Sequence, residues 1–208
     1  MEKDKYIFDL DGTLLTMDYR MEKMYFVSMF GPYASLLTDR IGELLDKYEH
    51  GFKKYDVNLL SKYLSINTGL DITPKIVEGW INIVAYGKDT MEDGVIEVLD
   101  ELKSQDKKLL ILSNWFSETQ VPRLKNAGIY EYFDEIITGE ECLKPHKEAY
   151  YRAIGDSDPS KCLLIGDNYD KDYCVPVTLG LDAVLYDKED KYEHAKVKIK
   201  QLNEIIRK

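Results

Sequence analysis

The sequence predicts an α/β protein, a three-layer Rossmann-like parallel sheet core that carries an inserted helical bundle. Three observations predict it. Short, nearly continuous apolar runs (Lys5–Phe8, Lys108–Ser113, Cys162–Gly166) read as strands covered on both faces. Over residues 90–208 such runs alternate with helix-period segments, which implies parallel pairing by right-handed crossovers. Between the first run and the rest, residues 16–89 show helical apolar spacing and no convincing strand. We therefore expect a core domain from residues 1–15 and 90–208, and a helical-bundle domain from 16–89, with hinges near Leu14–Asp18 and Gly87–Asp93.

Taken in order, Lys5–Phe8 is a β-branched and aromatic run that stops at Asp9-Leu10-Asp11-Gly12-Thr13. Phe26, Met29 and Phe30 suggest a first helix of the insert. Ile41, Leu44, Leu45 and Tyr48 fall at i, i+3, i+4 and i+7, one stripe of an amphipathic helix. Leu59, Leu60, Tyr63 and Leu64 suggest another, shorter one. Thr73 suits an N-cap and Pro74 the first helical position, with Ile76, Val77, Trp80, Ile81 and Val84 as the apolar face and Gly87 as a stop. Beyond the insert, Val95, Val98, Leu99 and Leu102 make a helix stripe ahead of the 108–113 strand. Helices then follow at Glu118–Ala127, stopped by Gly128, and at Lys147–Ile154, stopped by Gly155. Strands are expected at Glu135–Thr138, Cys162–Gly166 and Leu181–Tyr186, and a final charged helix at His194–Ile206.

Composition narrows the function. The chain has 208 residues, 44% apolar and 32% charged, a globular balance. A net charge of −10 argues against a nucleic-acid binder, because phosphate backbones reward clustered Lys and Arg. No apolar run is long enough to span a membrane, and the charged start (Glu2, Lys3, Asp4) does not resemble a secretory signal. Three cysteines (Cys142, Cys162, Cys174) without CxxC spacing argue against structural zinc or a disulfide framework. They read as small hydrophobes of a cytoplasmic protein, with a monomer as the default.

Polar residues at four strand ends or adjoining loops are chosen as if for one site: Asp9 and Asp11, Ser113 and Asn114, Lys144, and Asp167 with Asp172. In a parallel sheet those ends face one way and converge at one edge. Asp9 and Asp11 alone are equally an acidic surface turn, Ser113 alone a helix cap, and Lys144 alone a solvated cation. Together they suit phosphoryl transfer through an aspartyl-phosphate, in which a carboxylate splits a difficult hydrolysis into two displacements. A dianionic phosphate approaches clustered acids only beside positive charge, which Mg²⁺ and Lys144 would supply, with Ser113 as a donor to a phosphoryl oxygen.

These motifs resemble, in order, the four of the haloacid-dehalogenase-like (HAD) hydrolases: Asp9-Leu10-Asp11-Gly12-Thr13, Leu112-Ser113-Asn114, Leu143-Lys144-Pro145, and Gly166-Asp167 with Asp172. Gly94-Val95 with Leu99 and Leu102 is similar to the family too, and the insert resembles the caps that members carry just after the first motif. The resemblance implies a Mg²⁺-dependent phosphomonoesterase of a small phosphorylated metabolite. Asp9 would be nucleophile and metal ligand. Asp11 would be the proton shuttle, binding Mg²⁺ through its carbonyl. Gly12, Ser113 and the Asn114 amide would hold phosphoryl oxygens, and Lys144 would steady charge. Asp167 would bind metal, and Asp172 would orient Lys144 or a metal-bound water. A dehalogenase needs no acid at Asp11 and resembles this motif without it. A phosphomutase of the β-phosphoglucomutase type shares the core and remains the alternative, and a non-catalytic phosphoacceptor is a more distant one.

Other expectations concern the neighbourhood of that site. Asp170 is expected to be a solvated loop acid and His146 a surface residue at a helix start. Trp115 and Phe116 either cover the phosphate pocket or pack against the cap. Candidate substrate contacts are Tyr19, Arg20, Lys23, Tyr25, Arg40, Tyr48, Lys53 and Lys54.

Overall fold

The computed structural model describes residues 3–207. Strand β1 (Lys5–Phe8) is buried along its whole length, and β2 (Leu15–Met17) follows closely. The inserted helices are α1 (Arg20–Phe30), α2 (Ser35–Thr38), α3 (Ile41–Gly51), α4 (Val57–Thr68) and α5 (Pro74–Ala85). The chain returns through β3 (Asp89–Met91) and runs on through α6 (Val95–Ser104), β4 (Lys108–Leu112), α7 (Ser117–Asn126) and β5 (Glu135–Ile137). Then come α8 (Lys147–Ile154), β6 (Cys162–Gly166), α9 (Val175–Thr178), β7 (Ala183–Tyr186) and β8 (Lys198–Ile199).

Six strands form one parallel sheet in the order β5-β4-β1-β6-β7-β8. Its apolar strands alternate between two faces, as the period of two requires. Tyr6, Phe8, Leu109 and Ile111 face the helix stripe Val95, Val98, Leu99 and Leu102. Ile7, Leu110, Leu112 and Leu164 face Ala149, Tyr150, Ala153 and Ile154 of α8. This is why the strands read as unbroken apolar runs. Lys5 enters the second face yet keeps its charge satisfied. Its Nζ donates to the Ala153 and Ile154 carbonyls, 3.2 and 2.7 Å away, at the carboxyl end of α8.

The helices between β2 and β3 share a third apolar cluster that includes Phe26, Leu44, Tyr48, Leu64, Trp80 and Ile81. Trp115, Phe116 and Leu143, from loops at the edge of the sheet, belong to the same cluster. Phe116 therefore packs against the helices, one of the two expected placements, and Trp115 takes both, packing there while also lining the cavity described below. Thr73 caps α5 by accepting from the Ile76 amide (3.4 Å), with Pro74 as its first residue.

Three details differ from the sequence expectation. Residues 16–89 are expected to hold no strand, but β2 and β3 pair antiparallel (Leu15↔Met91, Thr16↔Thr90, Met17↔Asp89) at the two places where hinges are expected. Three residues each are too few for a periodic signal. The helix at Leu59–Leu64 is not short. It runs 12 residues, because the Asp56 carboxylate accepts from the Leu59 amide (3.0 Å) and Gly69, at φ +74°, ends it. The final charged helix does not form, since residues 194–206 instead give β8 and one 3₁₀ turn, Leu202–Ile205. The alternation Lys196-Val197-Lys198-Ile199-Lys200 is a strand pattern, and Ile199 and Leu202 are buried in the α6 side of the core.

Candidate active site

Each predicted motif lies at the carboxyl edge of the sheet. Asp9 directly follows β1, and its amide continues the ladder by donating to the Ile165 carbonyl at 2.8 Å. Lys144, 3% exposed, sits between two carboxylates: Nζ donates to Asp9 Oδ1 at 2.8 Å and to Asp172 Oδ1 at 2.6 Å. The Asn114 side-chain amide positions the lysine's backbone in both directions, donating to the Lys144 carbonyl (2.8 Å) and accepting from its amide (2.9 Å). Asp172 lies in a six-residue π-helical turn, Tyr169–Cys174, and its second oxygen accepts from the Asn168 amide at 3.1 Å.

Gly12 lets Asp167 approach. It holds φ +78°, and a Cβ there would collide with the Asp167 carboxylate. Asp9, Asp167 and Asp172 thereby offer carboxylate oxygens that all lie within 4.8 Å of one another. Burial, followed by the neighbouring acids Asp172, Asp167 and Asp11, pushes the Asp9 carboxyl well above the usual range, although Lys144 opposes this. Burial and Asp172 likewise push Asp167 up to about 6. Burial works against the Lys144 charge, but Asp172 and Asp9 outweigh it and raise the ammonium above its ordinary value. The protein's own cation does not balance this many acids. An all-oxygen donor set with surplus negative charge fits a hard divalent cation.

Asp11 points elsewhere. Its carboxylate is held by Arg123 (Nη1 to Oδ1, 2.6 Å) and by Gln120 (Nε2 to Oδ2, 2.8 Å), both from α7. Gln120 also donates to Ser113 Oγ at 2.8 Å. Arg123, 1% exposed, is anchored on β3 by bonds of 2.8–3.2 Å to both oxygens of Asp89. Sequence reasoning missed Gln120 and Arg123. The available signal is the inward face of α7, where Thr119, Gln120 and Arg123 are buried beside Leu124. A buried arginine requires acids elsewhere to pair with it.

These groups line one side of a cavity of about 290 Å³, and Tyr19, Glu22, Leu45, Glu49, Trp80 and Val84 of the helices line the other. Of the eight expected substrate contacts, only Tyr19 lines it. Tyr48 is buried and stacked on Tyr55 (5.1 Å), the Tyr25 hydroxyl donates to the Ile76 carbonyl (2.9 Å), and Lys53 pairs with Glu148 (2.8 Å). His146 stands at the start of α8 as expected but is half-buried rather than exposed. Its Nε2 lies 2.9 Å from the Glu49 carbonyl and 2.8 Å from that of Phe52, where the end of α3 leaves carbonyls without helical partners. Asp170 is exposed as expected, 3.3 Å from His50 Nε2. Lys171 joins the helices to the core through Glu49 (2.6 Å) and Asp46 (2.7 Å).

Known proteins share both sequence and fold. The family model for haloacid dehalogenase-like hydrolases matches residues 5–173. Pyrimidine 5′-nucleotidase YjjG of Escherichia coli (strain K12) is 29% identical over 196 residues, 87% of this chain and 84% of the nucleotidase. Pyrophosphatase PpaX of Bacillus thuringiensis (strain Al Hakam) is 26% identical over 179 residues, 81% and 76% of the two chains. Among solved structures, the magnesium-bound HAD-hydrolase YfnB of Bacillus subtilis superposes with a TM-score of 0.76 at 21% identity, over 100% of this chain and 98% of its own. L-2-haloacid dehalogenase of Xanthobacter autotrophicus superposes at 0.74 with 15% identity, over 99% and 97%.

Proposed function

The chain belongs to the haloacid dehalogenase-like hydrolase family, and from that premise we propose that it is a Mg²⁺-dependent phosphomonoesterase working through an aspartyl-phosphate on Asp9. The observation that carries the reading is the Lys144 ammonium bound between Asp9 and Asp172, with Asp167 beside them. The arrangement provides a carboxylate to attack, a fixed cation to steady it, and oxygens for a metal. Asp9 and Asp167 would hold Mg²⁺ with the Asp11 carbonyl, and the ion would offset phosphate charge and polarise phosphoryl oxygens.

Asp9 forms its bond to phosphorus as the ester oxygen leaves, and Asp11 gives that oxygen a proton. Asp11 then takes a proton from the water that attacks phosphorus and frees Asp9. The Ser113 hydroxyl rotates to donate to a phosphoryl oxygen, and the Asn114 amide supplies a further donor; the Gly12 amide, expected to do the same, is instead given to the Leu15 carbonyl at 2.9 Å. Asp172 keeps Lys144 aimed at Asp9. Asp11 also separates this chemistry from dehalogenation, which has no poor alkoxide leaving group to protonate.

In this reading residues 16–89 are a cap over a core of 1–15 and 90–208, and the cavity lies between cap and core. At about 290 Å³ it is near the lower end of the range for ligand pockets, roughly 300–1,000 Å³, which suits a small ester. Because the Escherichia coli relative is a pyrimidine 5′-nucleotidase, nucleoside monophosphates are the first esters to screen. The acidic lining of the cavity disfavours nucleic acid as a partner, and among the described residues no helix is long and apolar enough to cross a membrane. The test is hydrolysis of 4-nitrophenyl phosphate. Turnover is expected with Mg²⁺ and its loss with a chelator, whereas turnover that persists without any divalent cation would contradict the reading.

Cation binding has its own signature in stability. A carboxyl raised from 3.8 to about 6 in the fold contributes stability that is present below its unfolded value and lost as pH rises through 6. The metal-free fold therefore weakens across that window, and a cation that binds the ionised form restores it. Mg²⁺ should raise Tm more at about pH 7.5 than at about pH 5, read by differential scanning fluorimetry.

A further inference from the structure

Arg123 has no part in the steps above, yet it is the largest charged side chain buried among the described residues, and it reaches the cavity. Its three nitrogens are divided between three segments. Nη1 contacts Asp11 Oδ1 (2.6 Å) and donates to Gln120 Oε1 (2.8 Å), while Nε and Nη2 hold Asp89 of β3. Gln120 in turn donates to the other Asp11 oxygen and to Ser113 Oγ. Asp89 lies on one of the two strands that lead the chain into and out of the inserted helices. A carboxylate on a loop, with its side chain 37% exposed, would otherwise sample several rotamers.

We infer that Arg123 is a positioning residue, a brace anchored on Asp89 and Gln120 that fixes the Asp11 carboxylate at the cavity wall. The inference rests on the phosphatase reading, in which Asp11 serves the leaving group. Its alternative is a buried ion pair that only ties α7 to β3. The two differ in which substrates suffer. A misplaced proton donor harms esters with poor leaving groups, whereas a loosened fold harms all esters alike.

The experiment compares kcat/KM for 4-nitrophenyl phosphate and for ethyl phosphate in wild type, Asp11→Asn, Arg123→Gln and the double variant. Proton transfer supplies about 10²–10⁴-fold, so Arg123→Gln should lower ethyl phosphate turnover roughly tenfold or more and 4-nitrophenyl phosphate turnover less than about threefold. In the Asp11→Asn background Arg123→Gln should add almost nothing, because the residue it positions is gone. Asp89→Asn keeps the guanidinium on Asp11 but loosens its anchor, and should show the same preference at smaller size. It carries the test alone if Arg123→Gln does not fold. Equal losses on both esters, or losses that multiply with Asp11→Asn, would overturn the positioning role. If wild type hydrolyses neither ester, or Asp11→Asn affects both alike, the phosphatase reading falls and this inference falls with it.

Discussion

Asp9→Asn should abolish turnover, lowering kcat by roughly 10⁴-fold or more, the scale seen when a nucleophile is removed. The amide matches the carboxylate in shape but neither attacks phosphorus nor offers an anionic ligand. The fold should not suffer with it. In the metal-free protein burial and three neighbouring acids already disfavour the Asp9 charge, so a neutral isostere relieves a cost. Lys144 keeps Asp172 as a partner at 2.6 Å. The variant should therefore melt no lower than wild type near neutral pH without cation, so a circular-dichroism melt separates lost chemistry from lost structure.

Lys144→Met should damage both activity and stability. Removing the ammonium leaves Asp9, Asp167 and Asp172 facing each other with no protein cation among them. Breaking a buried pair from one side typically costs about 3–5 kcal/mol, which exceeds what a methionine stem regains by packing. The sign with pH follows from the shifts. The lysine's raised value means its contribution is complete at neutral pH and lost only well above it. In the variant, Asp9 and Asp167 relieve the repulsion by taking up protons, so its deficit against wild type should narrow as pH falls. Urea titrations at about pH 5 and pH 8 read that difference. A deficit that is equal at both, or larger at low pH, would show that the carboxylates do not depend on Lys144.

The strand-end residues were legible because a parallel sheet forces its carboxyl ends to one edge, whatever their separation in sequence. Asp9, Lys144 and Asp172 stand 135 and 28 residues apart and still meet within hydrogen-bonding distance. Local signals carried the helices in the same way, as at Thr73-Pro74 and at the stripe Val95, Val98, Leu99 and Leu102. What escaped depends on contacts that no period encodes. Gln120 and Arg123 read as ordinary helix-surface residues, and only the packing of α7 against α5, with Thr119 Oγ1 donating to the Ile81 carbonyl at 3.1 Å, turns them inward. His146 is the helix start that the sequence indicates, the N-cap of α8, but it reads as exposed because its partners, the carbonyls of Glu49 and Phe52, lie some 95 residues earlier. The cavity wall from the inserted helices was illegible for the same reason. An aromatic such as Tyr48 or Tyr19 is equally core or lining until helix rotation is known, and here Tyr48 is core and Tyr19 lines the cavity.

The central claim is that phosphorus becomes bonded to Asp9. It is tested most directly by mixing enzyme with 4-nitrophenyl phosphate and Mg²⁺, quenching in acid within one turnover, and mapping peptides by mass spectrometry. One phosphoryl group is expected on the peptide that contains Asp9, at Asp9 itself, absent from Asp9→Asn and gone after a chase. Steady turnover with no phosphoryl group on Asp9 at any quench time, or with the group on another residue, would contradict it.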